Sequence, residues 1–321
     1  MNRRYLCIAL AAAAFATGGT TLGAYPERPV RVIVPYSPGG TSDFVGRLVA
    51  EGLTRGLGQQ LVVDNRGGAG SALGTKLLVD SNPDGYTLIV NNIGLAVNET
   101  LRPDRDYDAL RDMAPISLVG FTPSILIVSA KSPYKTLADW IKAAKAQPGK
   151  IPFGSAGAGS STHLSMAYLQ SVANIKLLHV PYKGGSPAMR AMMGGEVQCV
   201  MTPIPTAYGN VKAGVIRPLA VSSSKRSSVF PDLPTVAEAG IPGYEFSTWY
   251  GLLTRAGTPK AVITQLNEAT HKALSDPEIR KKLQTTGLDP EPGTPEEFGK
   301  FIRAEIAKWR KVIEEAGITK R

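Results

Sequence analysis

The stretch VRVIVPYSPGGTSDFVGRLVAEGL, residues 30–53, places a buried strand, a glycine-rich loop and an amphipathic helix in direct succession. Residues 30–36 are mostly β-branched and apolar, as in a strand that is buried on both faces. Apolar side chains then recur at helical spacing over residues 42–57, and Ser42 or Asp43 is suited to cap the start of this helix. This strand–loop–helix unit predicts an α/β fold with parallel strands.

The alternation of strands and helices continues through the rest of the chain. The first set adds a strand at 61–64, a helix at 72–79 and a strand at 86–91. The second set has strands at 125–129, 151–154, 177–181, 197–201 and 217–222, and helices at 137–146, 161–172, 187–193 and 207–213. A strand at 247–254 and two long helices follow. We therefore expect two α/β units.

Two strand-like segments, 117–130 and 246–255, lie where the chain passes from one α/β unit to the other. If the last helices pack on the first unit, that unit is discontinuous and two crossings join the halves. We therefore expect a first lobe of residues 25–120 and 250–321, and a second lobe of residues 121–249. This organisation is typical of a hinged two-lobe protein that binds its ligand in a cleft.

The first 24 residues differ from the rest of the chain. Arg3 and Arg4 precede an apolar run at 5–15 and a zone of small residues at 17–24. The apolar run is too short to span a bilayer, and the pattern is that of a signal peptide. A buried N-terminal helix is the alternative interpretation. We expect residues 1–24 to be removed and the mature protein to be periplasmic.

The charge of the chain is clearly positive, with 36 Lys and Arg against 26 Asp and Glu and a net charge of +10. Such a balance can serve nucleic acid, anionic surfaces or small anions. The basic residues are not interleaved with aromatic ones, and many lie at 300–311 among glutamates, as on a solvated helix face. We therefore expect no nucleic-acid partner.

Three glycine-rich loops, at 35–43, 65–71 and 154–163, each follow a predicted strand and open a predicted helix. A helix N-terminus presents unpaired N–H groups and a partial positive charge, and glycine lets a ligand approach the backbone. A carboxylate is a natural ligand for such a loop. Because the first and third loops belong to different lobes, they could hold one ligand from opposite sides.

Other functional interpretations of these loops do not fit the spacing of their residues. Gly157 and Gly159 would need a third glycine where Thr162 stands, so no dinucleotide fingerprint is present, and no lysine of a phosphate-binding loop follows. The G-x-S-x-G pattern of a hydrolase is missing. His163, His179, His271 and Cys199 are not at metal-ligand spacing. We expect no metal, no cofactor and no catalytic residue.

Several motifs make the chain similar to a known family. They are PERPVRVIVPYSPGGTSD, DNRGGAGSALG, FGSAGAGSSTHLS, VPYKGGSPAM, EAGIPGYEFSTWYGLLTRAGTPK and EEFGKFIRAEIAKWRKVIEEAGI. In this succession they resemble the Bug-type solute-binding proteins, the extracytoplasmic receptors of tripartite tricarboxylate transporters, from about residue 25 onward. The resemblance implies the type II-like periplasmic binding protein fold, with two α/β lobes around a cleft, and a carboxylate ligand.

The resemblance also implies which residues hold the ligand, mainly through backbone donors. The matching positions are Pro38, Gly39, Gly40, Thr41 and Asp43 in the first loop, and Ser155, Ala156, Gly157, Gly159, Ser160, Ser161 and His163 in the third loop. Asp43 is expected to cap a helix rather than contact the ligand, because its carboxylate would repel an anion. His163 is expected to pack or form a hydrogen bond near the start of its helix.

The chemistry at the far end of the ligand is less constrained by these motifs. Thr202 stands close to where many relatives carry an aspartate that can pair with a ligand amine. The lack of this aspartate argues against an amino acid and toward an acid with an uncharged tail or a dicarboxylic acid, within an expected ligand class of dicarboxylates, tricarboxylates and aromatic acids. Tyr36, Phe121 and Tyr182 are candidate walls of the pocket, or core residues. Arg255 replaces a residue that is often small or proline in relatives, and its role is open.

We expect a monomeric periplasmic receptor that delivers a small carboxylate to the membrane components of a tripartite transporter. One alternative is a sensor that presents the bound ligand to a two-component or other signalling partner. Another is an α/β enzyme acting on a carboxylate, which would need an acid, base or nucleophile set that neither loop supplies.

Overall fold

Residues 25–315 and 317–319 are described by the structure, a computed structural model of the chain. The expected signal peptide, residues 1–24, lies outside them. Lobe 1 is the name used for residues 25–120 and 250–319, and lobe 2 for residues 121–249, which is the division expected from the sequence.

The amino-terminal part of lobe 1 alternates strands and helices. Its elements are β1 (Val30–Val34), α1 (Thr41–Leu57), β2 (Leu61–Asn65), a 3₁₀ turn (Ala69–Ser71), α2 (Ala72–Val79), β3 (Thr87–Asn92), α3 (Gly94–Leu101) and α4 (Ala109–Asp112). The sequence patterns do not predict α3 or α4. Most residues of α3 are buried, so its sequence lacks the polar face that gives a helix its period.

A 17-residue strand leads into lobe 2, where the alternation continues. The elements are β4 (Met113–Ser129), α5 (Leu137–Ala146), β5 (Pro152–Ser155), α6 (Ser161–Ala173), β6 (Leu178–Pro181), α7 (Gly185–Met193), β7 (Cys199–Pro203), α8 (Ile204–Lys212) and β8 (Ile216–Val221). Both α7 and α8 begin earlier than the sequence patterns predict. Pro205 fits the first turn of α8, because the N–H groups there need no partner within the helix.

The chain returns to lobe 1 through β9 (Ser247–Arg255) and ends in α9 (Lys260–Ser275), α10 (Pro277–Thr285), β10 (Asp289–Pro290) and α11 (Pro295–Glu315). Three helices therefore stand where the patterns predict two. The break falls at Asp276, which has extended backbone because Pro277 follows it. Its side chain accepts hydrogen bonds from the N–H groups of Glu278 and Ile279, at 2.9 and 3.1 Å, and so caps α10.

The strands of the described residues form one sheet in the order β2-β1-β3-β9-β4-β7-β5-β6, with β8 and β10 paired to β4. β1 is parallel to β2 and β3, and β5 is parallel to β6 and β7. β9 is antiparallel to both of its neighbours. The residues of β4 up to Pro123 pair with β9, and those from Ser124 onward pair with β7 and β8. β4 and β9 therefore connect the two lobes.

The hydrophobic core follows this division only in part. One cluster fills lobe 1 around α1 and α9, another fills lobe 2 around α7 and α8, and a third extends through both lobes. Trp249 of β9 lies in the third cluster, packed edge-on against Phe298 and Phe301 of α11. In the part of the chain that the structure covers, no helix combines the length and the apolar character needed to cross a membrane.

Candidate functional site

A small cavity of about 20 Å³ lies between the lobes at the ends of β1, β3, β5 and β7. Its walls come from both lobes, and none of the described residues that line it has a charged side chain. They are Tyr36, Gly40, Thr41, Ser42, Asn92, Ala156, Ser161, Thr162, Gly185, Thr202, Pro203, Thr206 and Tyr250. The volume suffices for about one water molecule.

Helix N-termini surround this cavity. Gly40 and Thr41 begin α1, Ser161 is the first residue of α6, Gly185 is the first residue of α7, and Pro203 precedes α8. Each such terminus has unpaired N–H groups and carries about half a positive charge. Four helix starts within the described residues therefore direct positive potential into a cavity without an ionised side chain, and this arrangement suits an anion.

Two threonines join the lobes at the edge of the cavity. The Thr41 N–H donates to Oγ1 of Thr206 at 2.9 Å, and the Thr206 N–H donates to Oγ1 of Thr41 at 3.2 Å. The two hydroxyl oxygens are 2.7 Å apart and share a further hydrogen bond. Each side chain thus caps the helix of the other. The bond between the hydroxyls uses one of their two protons, which leaves the other for a ligand oxygen.

The first loop is stabilised from within by Asp43. Oδ2 of Asp43 accepts the Gly39 N–H at 2.9 Å and the Arg47 Nε–H at 3.0 Å. Burial opposes ionisation of Asp43, but its bonds to Arg47 and Gly39 outweigh burial and hold the pKa of the carboxyl below its ordinary value. The N-cap of α1 is Gly40, so neither Ser42 nor Asp43 occupies the capping position expected from the sequence. Asp43 instead reaches back from the first turn to the loop.

The loop before α6 uses most of its N–H groups internally. Ala156 N–H donates to Oγ1 of Thr162 at 2.6 Å, and Gly157 N–H donates to Oγ of Ser155 at 3.1 Å. Ser160 is the N-cap, and its Oγ accepts the His163 N–H at 3.3 Å. The N–H groups of Ser161 and Thr162, at the first two helical positions, have no intrahelical acceptor and lie beside the cavity.

His163 supports this loop from behind. Its Nδ1 accepts the Gly159 N–H at 3.2 Å, and its ring stacks on the His179 ring with centroids 4.2 Å apart. Burial, and then the neighbouring His179, lower the pKa of His163 from 6.5 to about 3. The imidazole is therefore neutral near pH 7, which its role as an acceptor at Nδ1 requires. His163 does not line the cavity.

Two glycines of this loop pack against lobe 1 rather than line the cavity. Gly157 has φ +110°, and a Cβ there would lie 3.2 Å from the Gly70 nitrogen and 3.3 Å from the Tyr182 carbonyl oxygen. A Cβ at Gly159, with φ +85°, would overlap Oδ1 of Asn98. Their backbone conformation and the close approach of the lobes both require glycine at these positions.

Tyrosine, asparagine and threonine side chains complete the walls. Tyr36 donates from its hydroxyl to Oδ1 of Asn92 at 3.2 Å, and Nδ2 of Asn92 donates to Oγ of Ser42 at 3.3 Å. Burial raises the pKa of Tyr36 and of Tyr250, so both are neutral phenols. Oγ1 of Thr202 is completely buried and has no hydrogen-bond partner among the described residues, so it is free to bond a ligand.

The structure brings Tyr36, Gly40, Thr41, Ala156, Ser161 and Thr202 of the expected site residues to the cavity. The others lie outside its walls. Pro38 and Gly39 are exposed at the tip of the first loop, and Ser155 and Ser160 are buried within the third. Tyr182 donates its hydroxyl to Oε2 of Glu196 at 3.3 Å.

Two other residues singled out from the sequence also lie away from the cavity. Phe121 packs edge-on against Phe301, with ring centroids 5.6 Å apart. Arg255 donates to the Asp112 carbonyl oxygen at 3.0 Å, at the lobe 1 end of β9.

Sequence reasoning did not select Ser42, Asn92, Thr162, Gly185, Pro203, Thr206 or Tyr250, which complete the cavity. The missed lobe 2 residues are mostly at the starts of α7 and α8, which the patterns place too late. Asn92 ends β3, and polar residues at the carboxyl end of a central parallel strand were the available signal for it.

Comparisons with known proteins bear on this geometry. Residues 45–318 match the sequence model of a family described as tripartite tricarboxylate transporter family receptor. Protein BugT of Bordetella pertussis is 36% identical over 295 residues, covering 91% of this chain and 90% of BugT. The structure of the periplasmic binding protein BugD has a TM-score of 0.89 and 31% identity, covering 92% of this chain and 99% of that one. An R. palustris protein solved with adipate has a TM-score of 0.89 and 34% identity, covering 92% and 99%.

Proposed function

Because this chain belongs to the Bug-type receptor family of tripartite tricarboxylate transporters, we propose that it captures a small carboxylate in the cleft between its lobes. The match over residues 45–318 establishes the membership and confirms the resemblance carried by the sequence motifs. The solved relatives confirm the α/β periplasmic binding protein fold. The family is one of solute-binding receptors, and delivery to the membrane components of a tripartite transporter is part of the proposal.

The proposal that the ligand is an anion rests on one observation. The starts of α1, α6, α7 and α8 meet at a cavity lined by uncharged residues. Helix starts of the same polarity repel one another when they converge, and a bound anion relieves that repulsion while it accepts their N–H groups. A bound carboxylate therefore also stabilises the approach of lobe 1 to lobe 2.

The walls of the cavity favour an acid without an amine. A ligand ammonium group would need a carboxylate partner, and the described lining residues include no Asp or Glu. Thr202 instead offers a buried hydroxyl that can donate to a second carboxylate or to a hydroxyl of the ligand. The adipate bound to the R. palustris relative is an acid of this kind. We propose a short dicarboxylate as the ligand class.

Entry of such a ligand requires movement of the lobes. A cavity of about 20 Å³ holds about one water molecule, far less than a six-carbon diacid. Separation of Thr41 from Thr206 opens the cavity to solvent, and closure on the ligand restores contacts from both sides. A ligand drives this closure only through contacts that are better in the closed form, which helix starts on both lobes supply.

Isothermal titration calorimetry with adipate, adipamide and glutamate tests the proposal. Adipamide has the length of adipate without its charge, and glutamate adds an amine to a dicarboxylate. We expect adipate to bind, adipamide not to bind and glutamate to bind more weakly. Adipate at about 100 times its dissociation constant should add about 2.7 kcal/mol to the free energy of unfolding. Equal binding of adipate and adipamide would refute the anion site, and tightest binding of glutamate would refute the amine-free class.

The proposal that the protein is periplasmic rests on residues 1–24. Their basic start, short apolar run and small-residue end are typical of a signal peptide, so we propose that the mature protein begins near residue 24 or 25 in the periplasm. Intact-mass measurement of the periplasmic fraction tests this. Retention of Met1 in the exported protein would contradict it.

A further inference from the structure

Lobe 1 contains a second and much larger cavity, of about 370 Å³, that shares no lining residue with the cleft. It lies where α4, α9 and α11 converge over the first residues of β4 and over Leu253 of β9. Its volume is in the range of about 300–1,000 Å³ typical of small-molecule sites. The function proposed above does not use this cavity.

The floor of the cavity is apolar. Met113, Leu253 and Ile302 are buried beneath it, and Leu110 at its margin is 46% exposed, which is high for a leucine. Gly299 of α11 keeps the space open. A Cβ at this position would make only ordinary contacts, 3.4 Å from Cγ of Pro115 and 3.9 Å from Nη2 of Arg303.

Two cations, Lys260 and Arg303, also line the cavity. Neither side chain forms a hydrogen bond or an ion pair within the described ranges, whereas the side chains of Arg55 and Lys282 elsewhere in lobe 1 each pair with acidic side chains. Lys260 is the first residue of α9, so the positive end of that helix adds to its charge. Glu296 is the one acidic residue among the described lining residues, so the charge here is net positive.

We propose that this cavity binds an amphipathic monocarboxylate, with the carboxylate between Lys260 and Arg303 and an aliphatic tail on the apolar floor. Charged heads fix the orientation of such a ligand, and the buried tail supplies most of the affinity. Burial of each methylene group strengthens binding about four-fold until the floor is covered. This ligand class differs from that of the cleft, which has hydrogen-bond donors but no apolar floor of this size.

The test uses octanoate as the probe and isothermal titration calorimetry of the full mature chain. Hexanoate has two fewer methylenes and should bind about 15-fold more weakly. Octanamide keeps the tail and loses the charge. Gly299→Leu fills the cavity from a helical position with room for the side chain, and Gly299→Ala is its matched control. Lys260→Gln combined with Arg303→Gln removes the cations.

We expect Gly299→Ala to bind octanoate like the wild type and Gly299→Leu to lose at least ten-fold in affinity, while both variants bind adipate in the cleft unchanged. The double Gln variant should lose at least ten-fold for octanoate and bind octanamide like the wild type. Thermal melting confirms that each variant is folded. Octanoate affinity that is unchanged by Gly299→Leu, competition between octanoate and adipate for one site, or no heat from octanoate with the wild type would each overturn the proposal.

Discussion

Replacement of Thr206 by valine should weaken ligand binding without disturbing either lobe. Valine keeps the shape of threonine but removes Oγ1, which accepts the Thr41 N–H at 2.9 Å and bonds the Thr41 hydroxyl at 2.7 Å. The third bond, from the Thr206 N–H to Oγ1 of Thr41, remains. Two hydrogen bonds at about 0.5–1.5 kcal/mol each give a loss of about 1–3 kcal/mol, or about 5–150-fold in the dissociation constant. Calorimetric titration with adipate measures this loss.

The bonds of Thr206 to Thr41 join different lobes, so they contribute only when the lobes are closed. Thr206→Ser keeps the hydroxyl and should bind close to the wild type. Because the two residues share their bonds, Thr41→Val and Thr206→Val should combine to much less than the sum of the single effects. If Thr206→Val binds adipate as tightly as the wild type, or if the two substitutions add fully, the threonine pair does not couple closure to binding.

Three further predictions concern single residues. The depressed pKa of His163, about 3 against 6.5 unfolded, means that the unfolded chain binds an extra proton below pH 6.5. The stabilisation by neutral His163 is therefore complete above pH 6.5, and the free energy of unfolding falls as the pH is lowered, by about 1.4 kcal/mol at pH 5.5. Urea unfolding of the wild type and of His163→Asn at pH 7.5 and 5.5 should show that the free energy of unfolding falls less in the variant. Gly157→Val should abolish adipate binding, since its side chain would press on Gly70 and hold the lobes apart; compaction by adipate in small-angle scattering that persists in the variant would contradict this. Thr202→Val should weaken adipate binding yet leave the melting temperature of the free protein unchanged or higher, because it removes a buried hydroxyl without a partner, and a clear drop in that temperature would show that the hydroxyl is structurally bonded.

The fold could be predicted from the sequence because strand and helix periods alternate clearly over most of residues 30–222, with α3 and α4 as the exceptions. The first residues of the helices are harder to predict, since the first turn has no apolar period of its own. Thr206 is part of α8 in the structure and is held by Thr41 of the other lobe, a contact that no local pattern contains. The break before Pro277 was accessible to the rules for proline, which restrict the residue before it.

The candidate site, too, could be predicted from the sequence only in part. The glycine loops predict two helix starts, because glycine and hydroxyl residues after a strand have a local physical meaning, and residues of both loops line the cavity. Which of their residues face the cavity depends on how the lobes pack. Gly157 and Gly159 are turned toward lobe 1, and Tyr250 reaches the cavity from a strand far along the sequence. Only the three-dimensional arrangement could supply that information.

The strand pairing of β4 affects how receptors of this family can evolve to bind different ligands. β10 braces β4 as far as Phe121, and β7 pairs with it from Ser124. Between these points Thr122 and Pro123 pair with β9, so we expect the lobes to swing about this short joint. The residues of the joint are separate from those that line the cleft. Outside the Thr41–Thr206 pair, substitutions in the cleft can therefore alter which acid is accepted while the hinge is inherited intact, so motion and recognition can diversify largely independently.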